Sequence, residues 1–245
     1  MVLESCSSAL NAIPFDVALK IAASLEVLDI CILGCCSRFW NDLCCSDALW
    51  EPLTRKRWST YRLLNNSSSS STWRDVYVAN HREMASRALC VVKSLEKISL
   101  KGTMEVGEYY KAIEDLTKKQ LAFKDIQMFF FKPELNVLTN LVGLHYCIFY
   151  LRVPVEQVME ALFCCGISGR ELCVKWWKLG RWSYGFRMRD ELHSRQCSLA
   201  ILATGEGEEV LGVLRRGAVH EVFRVEISIS KTASTSWYGQ STQTI

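Results

Sequence analysis

The chain has 245 residues, of which 49% are apolar, enough to bury a sizeable core as one large domain or two small ones, so it reads as a folded protein. A formal net charge of +3 is too small to point by itself to nucleic acid or an anionic membrane. Twelve cysteines would frame a short secreted domain, but this chain is long, no Lys or Arg precedes Lys20, and polar residues interrupt MVLESCSSALNAI, so reduced thiols in the cytoplasm or nucleus are expected.

The first organised stretch runs from Ile13 to Trp58. Pro14 suits a first helical turn, and Val17, Ala18, Ile21, Ala22 and Leu25 recur behind it at the helical period. Asp29 stands where a cap would stand before Ile30, Leu33 and Cys36. Ser37 can cap a turn carrying Phe39, Trp40 and Leu43, and Asp47 precedes Leu49, Trp50 and Leu53. Three or four helices in so few residues have too little interior for this many large side chains, so part of their apolar surface must be covered by something else. An ordinary helical subdomain packed against the rest of the chain would satisfy the same pattern.

The order Ile13-Pro14, Asp16-Val17, Ile21, Leu25, Asp29-Ile30, Leu33, Cys36-Ser37-Arg38, Trp40, Leu43 and Leu49-Trp50 resembles the F-box, the helical module of substrate receptors in SCF (Skp-cullin-F-box) ubiquitin ligases. Ile13 and Cys36 depart from the usual Leu and Val but keep apolar groups of similar size. The resemblance covers about a fifth of the chain. It implies an F-box over 10–62 that docks on a Skp-type linker protein, and through it cullin and RING subunits, using Ile13, Pro14, Val17, Ile21, Leu25, Ile30, Leu33, Cys36, Trp40, Leu49 and Trp50.

Residues 63–72, with Asn65-Asn66 and the run Ser67 to Ser71, have nothing to bury and read as a flexible link. A helical, substrate-binding domain is expected over 73–195. Trp73, Val76, Tyr77, Met84, Ala88 and Val91 form one amphipathic face, a short strand or loop lies at Ile98 to Thr103, and a helix from Glu105 to Phe131 stops at Pro133. The run LNVLTNLVGLHYCIFYL from Leu135 to Leu151 just reaches the length of a membrane span of roughly 17–25 residues but is interrupted by Asn136, Asn140 and His145, so it reads as a core helix and no membrane partner is expected. His145 has no carboxylate at helical distance and reads as a satisfied core histidine. Pro154 opens a further helix closed by Gly166.

Between Ser168 and Arg195, Arg170, Lys175, Lys178, Arg181, Arg187 and Arg189 interleave with Trp176, Trp177, Trp182, Tyr184 and Phe186. Three readings stay open: aromatics in the core with basic heads reaching water, a protein-binding patch, and stacking on nucleic-acid bases. In a receptor, Trp176, Trp177, Arg181, Trp182, Tyr184 and Arg187 are the candidate substrate-binding residues, with an unknown protein target and nucleic acid the weaker alternative. A small β element is expected over 196–230, where Phe223, Val225, Ile227 and Ile229 alternate with polar residues, followed by a disordered tail over 231–245.

The expected fold is therefore mostly α, a helical module and a helical domain ending in a small antiparallel sheet. No phosphate loop, paired carboxylates or nucleophile elbow is apparent, and Cys164, Cys173, His193 and Cys197 match no zinc-finger spacing, so neither metal nor cofactor is expected. Two functions compete: a non-catalytic ligase adaptor, and an enzyme or nucleotide-binding domain carrying an incidental F-box-like segment.

Overall fold

A computed structural model describes residues 13–58, 72–218 and 221–230. Residues 10–12, the link apart from Thr72, and the tail over 231–245 lie outside the described residues. The chain forms two compact units, residues 1–84 and 85–245.

Pro14, at φ −56°, leads into helix α1 (Phe15–Ser24), which buries Ala18 and Ala22 one turn apart. Helix α2 (Val27–Leu33) begins before the expected cap, so that Asp29 sits in its first turn, where a carboxylate favours the helix dipole. Helix α3 (Arg38–Cys45) starts as the sequence predicts: the Ser37 hydroxyl accepts the Trp40 N–H at 3.3 Å. Helix α4 (Asp47–Arg57) is capped by Ser46 rather than by Asp47. Asp47 instead accepts the N–H of Trp73 at the start of α5 (Trp73–Ser99), a helix that the division between the units crosses. Ile30, Trp40, Leu43, Leu49 and Trp50 fill the centre of the first unit. The Trp50 indole donates to the Cys44 carbonyl at 2.7 Å and meets the Tyr77 ring edge-on at 5.1 Å.

In the second unit, strand β1 (Thr103–Glu105) runs into α6 (Val106–Lys119). The single helix expected from Glu105 to Phe131 is broken: Gln120 adopts φ 52°, ending α6, and α7 (Phe123–Phe129) starts afresh. Helix α8 (Val137–His145) is buried at all nine positions and continues into a π-helical turn, Tyr146–Tyr150, as expected of a core helix. Its polar groups are satisfied internally, since Asn140 donates to the Phe130 carbonyl at 2.6 Å and accepts from Arg170 at 2.5 Å. Gly143 lets α8 approach α7 closely, because a Cβ there would lie 2.8 Å from that of Phe130. Helix α9 (Val155–Cys164) follows Pro154.

The sheet starts earlier than expected. Strands β2 (Glu171–Lys178) and most of β5 (Glu191–Ser198) occupy residues expected in the helical domain, whereas the apolar runs Cys197 to Ala203 and Val210 to Leu214, inside the expected β element, largely form helices α10 (Leu199–Thr204) and α11 (Glu208–Arg216). Strand β6 (Val222–Ile229) follows the predicted alternation at its centre, where Val225 and Ile227 are fully buried, whereas Phe223 and Ile229 near its ends are exposed. The order is β1-β6-β2-β5, antiparallel throughout, and the fold is mixed α+β. Leu172, Val174 and Trp176 of β2 join Val225 and Ile227 on the helix-covered face. No helix among the described residues is long and apolar enough to cross a membrane.

His145 lies in this core with its Nδ1 2.7 Å from the Tyr109 hydroxyl. Burial, and then the charge of Arg215, push its pKa from 6.5 down to about 4. A folded pKa below the unfolded one stabilises the fold only above the unfolded value and is lost as pH falls from about 6.5 through 4. Unfolding free energy should therefore drop by about 3 kcal/mol across that window from this residue. Urea titrations at stepped pH, with the His145 ring followed by NMR, should show the ring neutral to below pH 5.

Candidate functional site

The first unit leaves a distinct set of apolar side chains in water. Val17 and Ile21 lie one turn apart on α1, beside Phe15, and Leu28 and Ile32 lie one turn apart on α2. Leu28 is 78% exposed and Ile32 65%. Of the partner-binding residues expected from the sequence, Pro14, Val17, Ile21 and Cys36 are exposed, and Ile13, Leu25 and Leu33 are half-buried. Ile30, Trp40, Leu49 and Trp50 are not available: they are buried, because a four-helix module needs its largest side chains for its own interior. Phe15, Leu28 and Ile32 take their place in solvent. The sequence carried the signal for Leu28 and Ile32, a second apolar pair one turn apart, offset from Ile30 on a two-turn helix.

The second exposed surface belongs to the β2–β5 hairpin. Between these strands sits a smaller hairpin, β3 (Trp182–Ser183) and β4 (Phe186–Arg187), closed by Tyr184 and Gly185 at φ 50° and 81°. Two consecutive positive φ values match a tight turn that follows the strand twist, and Gly185 supplies one of them without strain. Every residue from Arg181 to Leu192 is exposed, and Trp182, Tyr184, Phe186, Met188 and Leu192 put apolar area into water there. Gly180 allows the neck to close: a Cβ there would lie 1.9 Å from the Met188 carbonyl oxygen. The Gly180 N–H donates to Asp190 at 2.9 Å and the Met188 N–H to the Arg181 carbonyl at 2.9 Å. The Gly180 hydrogen bond, and then the Arg187 charge, hold the Asp190 carboxyl below its ordinary range.

The six candidate substrate-binding residues therefore part company. Trp176 is a core residue, stacked on His193 at 5.4 Å, and Trp177 lies half-buried on the other sheet face under the Arg224 guanidinium at 4.7 Å. Arg181 pairs with Glu221 at 2.7 Å and Arg187 with Asp190 at 3.0 Å. Trp182 and Tyr184 are the aromatics of the six that stand in water, together with Phe186, Met188 and Leu192 from outside the six.

The cysteines divide between core and surface. Cys44, Cys147 and Cys197 are buried, whereas Cys31, Cys35, Cys36, Cys45, Cys90 and Cys164 are exposed. Burial raises the thiols of Cys147 and Cys197, the latter to about 11. Cys173 contacts Ser194 on the solvent face of the sheet while Cys197 points to the core face, so these two thiols diverge.

The sequence model of the family described as F-box-like matches residues 10–56, which hold α1 to α3 and most of α4. No curated protein and no solved structure matches the chain. The chain thus carries an F-box-like domain, the general role of which is adaptor work in ubiquitin ligases.

Gly180→Ala should open the neck of the small hairpin, since backbone cannot yield to a contact so short. Amide exchange at Met188 should accelerate at least tenfold, on the order of a lost hydrogen bond, while Val174 and Ile227 stay protected.

Proposed function

We propose that the chain is a non-catalytic adaptor of an SCF-type ubiquitin ligase. Its F-box-like module docks a Skp-type linker protein and so recruits cullin and RING subunits, while the second unit holds a protein target in the cytoplasm or nucleus. The observation that carries this reading is the coincidence of the family match over 10–56 with an uncovered apolar set, Phe15, Val17, Ile21, Leu28 and Ile32, on the first two helices. Burying such side chains stabilises association by about 1–2 kcal/mol each, enough together to offset much of the cost of bringing two proteins together. The adaptor supplies no nucleophile. It raises the effective concentration of target lysines near a charged ubiquitin-conjugating enzyme.

Val17→Asp combined with Leu28→Asp should abolish co-purification of the linker protein, because each places an unpaired charge in the interface, yet leave the melting temperature unchanged because both sites are exposed. Leu49→Ala should do the reverse, costing about 2–5 kcal/mol of stability through a core cavity while the folded fraction still binds. Full linker binding by the double aspartate variant would refute the adaptor assignment.

A further inference from the structure

The hairpin carries two features that the adaptor role leaves unassigned: concentrated basic charge beside exposed aromatics, and an open strand edge. From Ser168 to Arg195, seven Lys and Arg stand against three Asp and Glu, a net +4, whereas the whole chain carries +3 and the remainder therefore −1. Arg181 and Arg187 are neutralised by Glu221 and Asp190, but the side chains of Lys178 and Arg189, which flank the small hairpin, and of Lys175 on β2 have no hydrogen bond or ion pair among the described residues.

Strand β5 is the last in the sheet order, and no described strand pairs with its outer rim. The ladder fixes which backbone groups face that rim. Leu199 donates to the Arg170 carbonyl, one step beyond the pair Glu171 and Ser198. In an antiparallel ladder hydrogen-bonded pairs alternate, so Cys197, Arg195 and His193 bond inward to β2. Leu192, Ser194 and Gln196 then turn their N–H and C=O groups outward. An eight-residue edge with no proline or bulge on its outer side is a template for an added strand.

Resting on the adaptor reading, we infer that the target enters as an acidic, extended protein segment that adds to the sheet along β5. Its backbone pairs with Leu192, Ser194 and Gln196, its apolar side chains meet Trp182, Phe186 and Leu192, and its carboxylates face Lys178 and Arg189. A nucleic-acid strand fits less well. It would meet Asp190, Glu191 and Glu221 on the same surface and find only three unengaged cations there, against the roughly 6–10 phosphate contacts of strong electrostatic binders.

The experiment is selection of a random 12-residue peptide library on the full chain, followed by affinity measurement with the selected peptides and with a 20-nucleotide oligoadenylate. Selected peptides should be net negative with interspersed apolar residues. They should slow amide exchange at Leu192, Ser194 and Gln196, but not at Arg195. Affinity should fall at least about tenfold in three variants: Arg189→Glu, Trp182→Ser with Phe186→Ser, and Ser194→Pro, the last removing an outward N–H that the sheet does not use. Neutral or basic consensus peptides, unchanged exchange along β5, full affinity in the variants, or tighter binding of the oligoadenylate would each overturn the inference. All three variants should still co-purify with the linker protein. Failure of the peptides with linker binding intact removes this inference alone, whereas failure of the wild-type chain to bind the linker removes the adaptor reading and the target assignment with it.

Discussion

A module of four short helices contains more apolar side chain than interior to hold it, and this shortage of volume governs the first unit. Trp40, Leu43, Leu49 and Trp50 take the space there is, with Tyr77 closing on the Trp50 ring. What is left over, on α1 and α2, stays in water at a cost the fold cannot recover by itself. A surface of that kind persists in a folded protein when a second molecule completes it. The F-box-like match falls on the same helices, so the physical argument and the family likeness meet on one set of residues.

The second unit solves a different problem. Its core is built on α8, whose nine buried positions include three polar side chains, Thr139, Asn140 and His145. Each is satisfied by a partner brought from another element: Glu96 for Thr139, Arg170 and the Phe130 carbonyl for Asn140, and the Tyr109 hydroxyl for His145. These bonds tie α5, α6 and the start of the sheet to one helix. With the core settled there, the outer half of the β2–β5 hairpin is released from packing and presents aromatics that no described helix covers.

Local chemistry made much of this legible from sequence. The prolines at 14 and 154 and Ser37 mark helix starts because their backbone effects are local, and the alternation in β6 reads directly as a half-buried strand. Sequence and structure part where one segment carries two signals. In ELCVKWWK the period of two, Leu172, Val174 and Trp176 against Cys173, Lys175 and Trp177, competes with a basic and aromatic composition that suits an exposed patch equally well, and composition hides the strand. Periodicity likewise places Ile30 and Leu28 on opposite faces of one helical turn without saying which faces the interior, since that depends on where α3 lies. The split of the candidate substrate residues has the same origin: Trp176 and Trp182 are alike in sequence, and only the distance from the core separates a packing residue from a presented one.

The claim on which the account stands is that the apolar side chains of α1 and α2 are reserved for another polypeptide. Hydroxyl-radical footprinting of the full chain, alone and mixed with a Skp-type linker protein, reads that claim at single residues. Oxidation of Phe15, Leu28 and Ile32 should be suppressed in the mixture while that of Trp182 and Tyr184 is unchanged. Equal oxidation of Leu28 and Ile32 with and without the linker would contradict it.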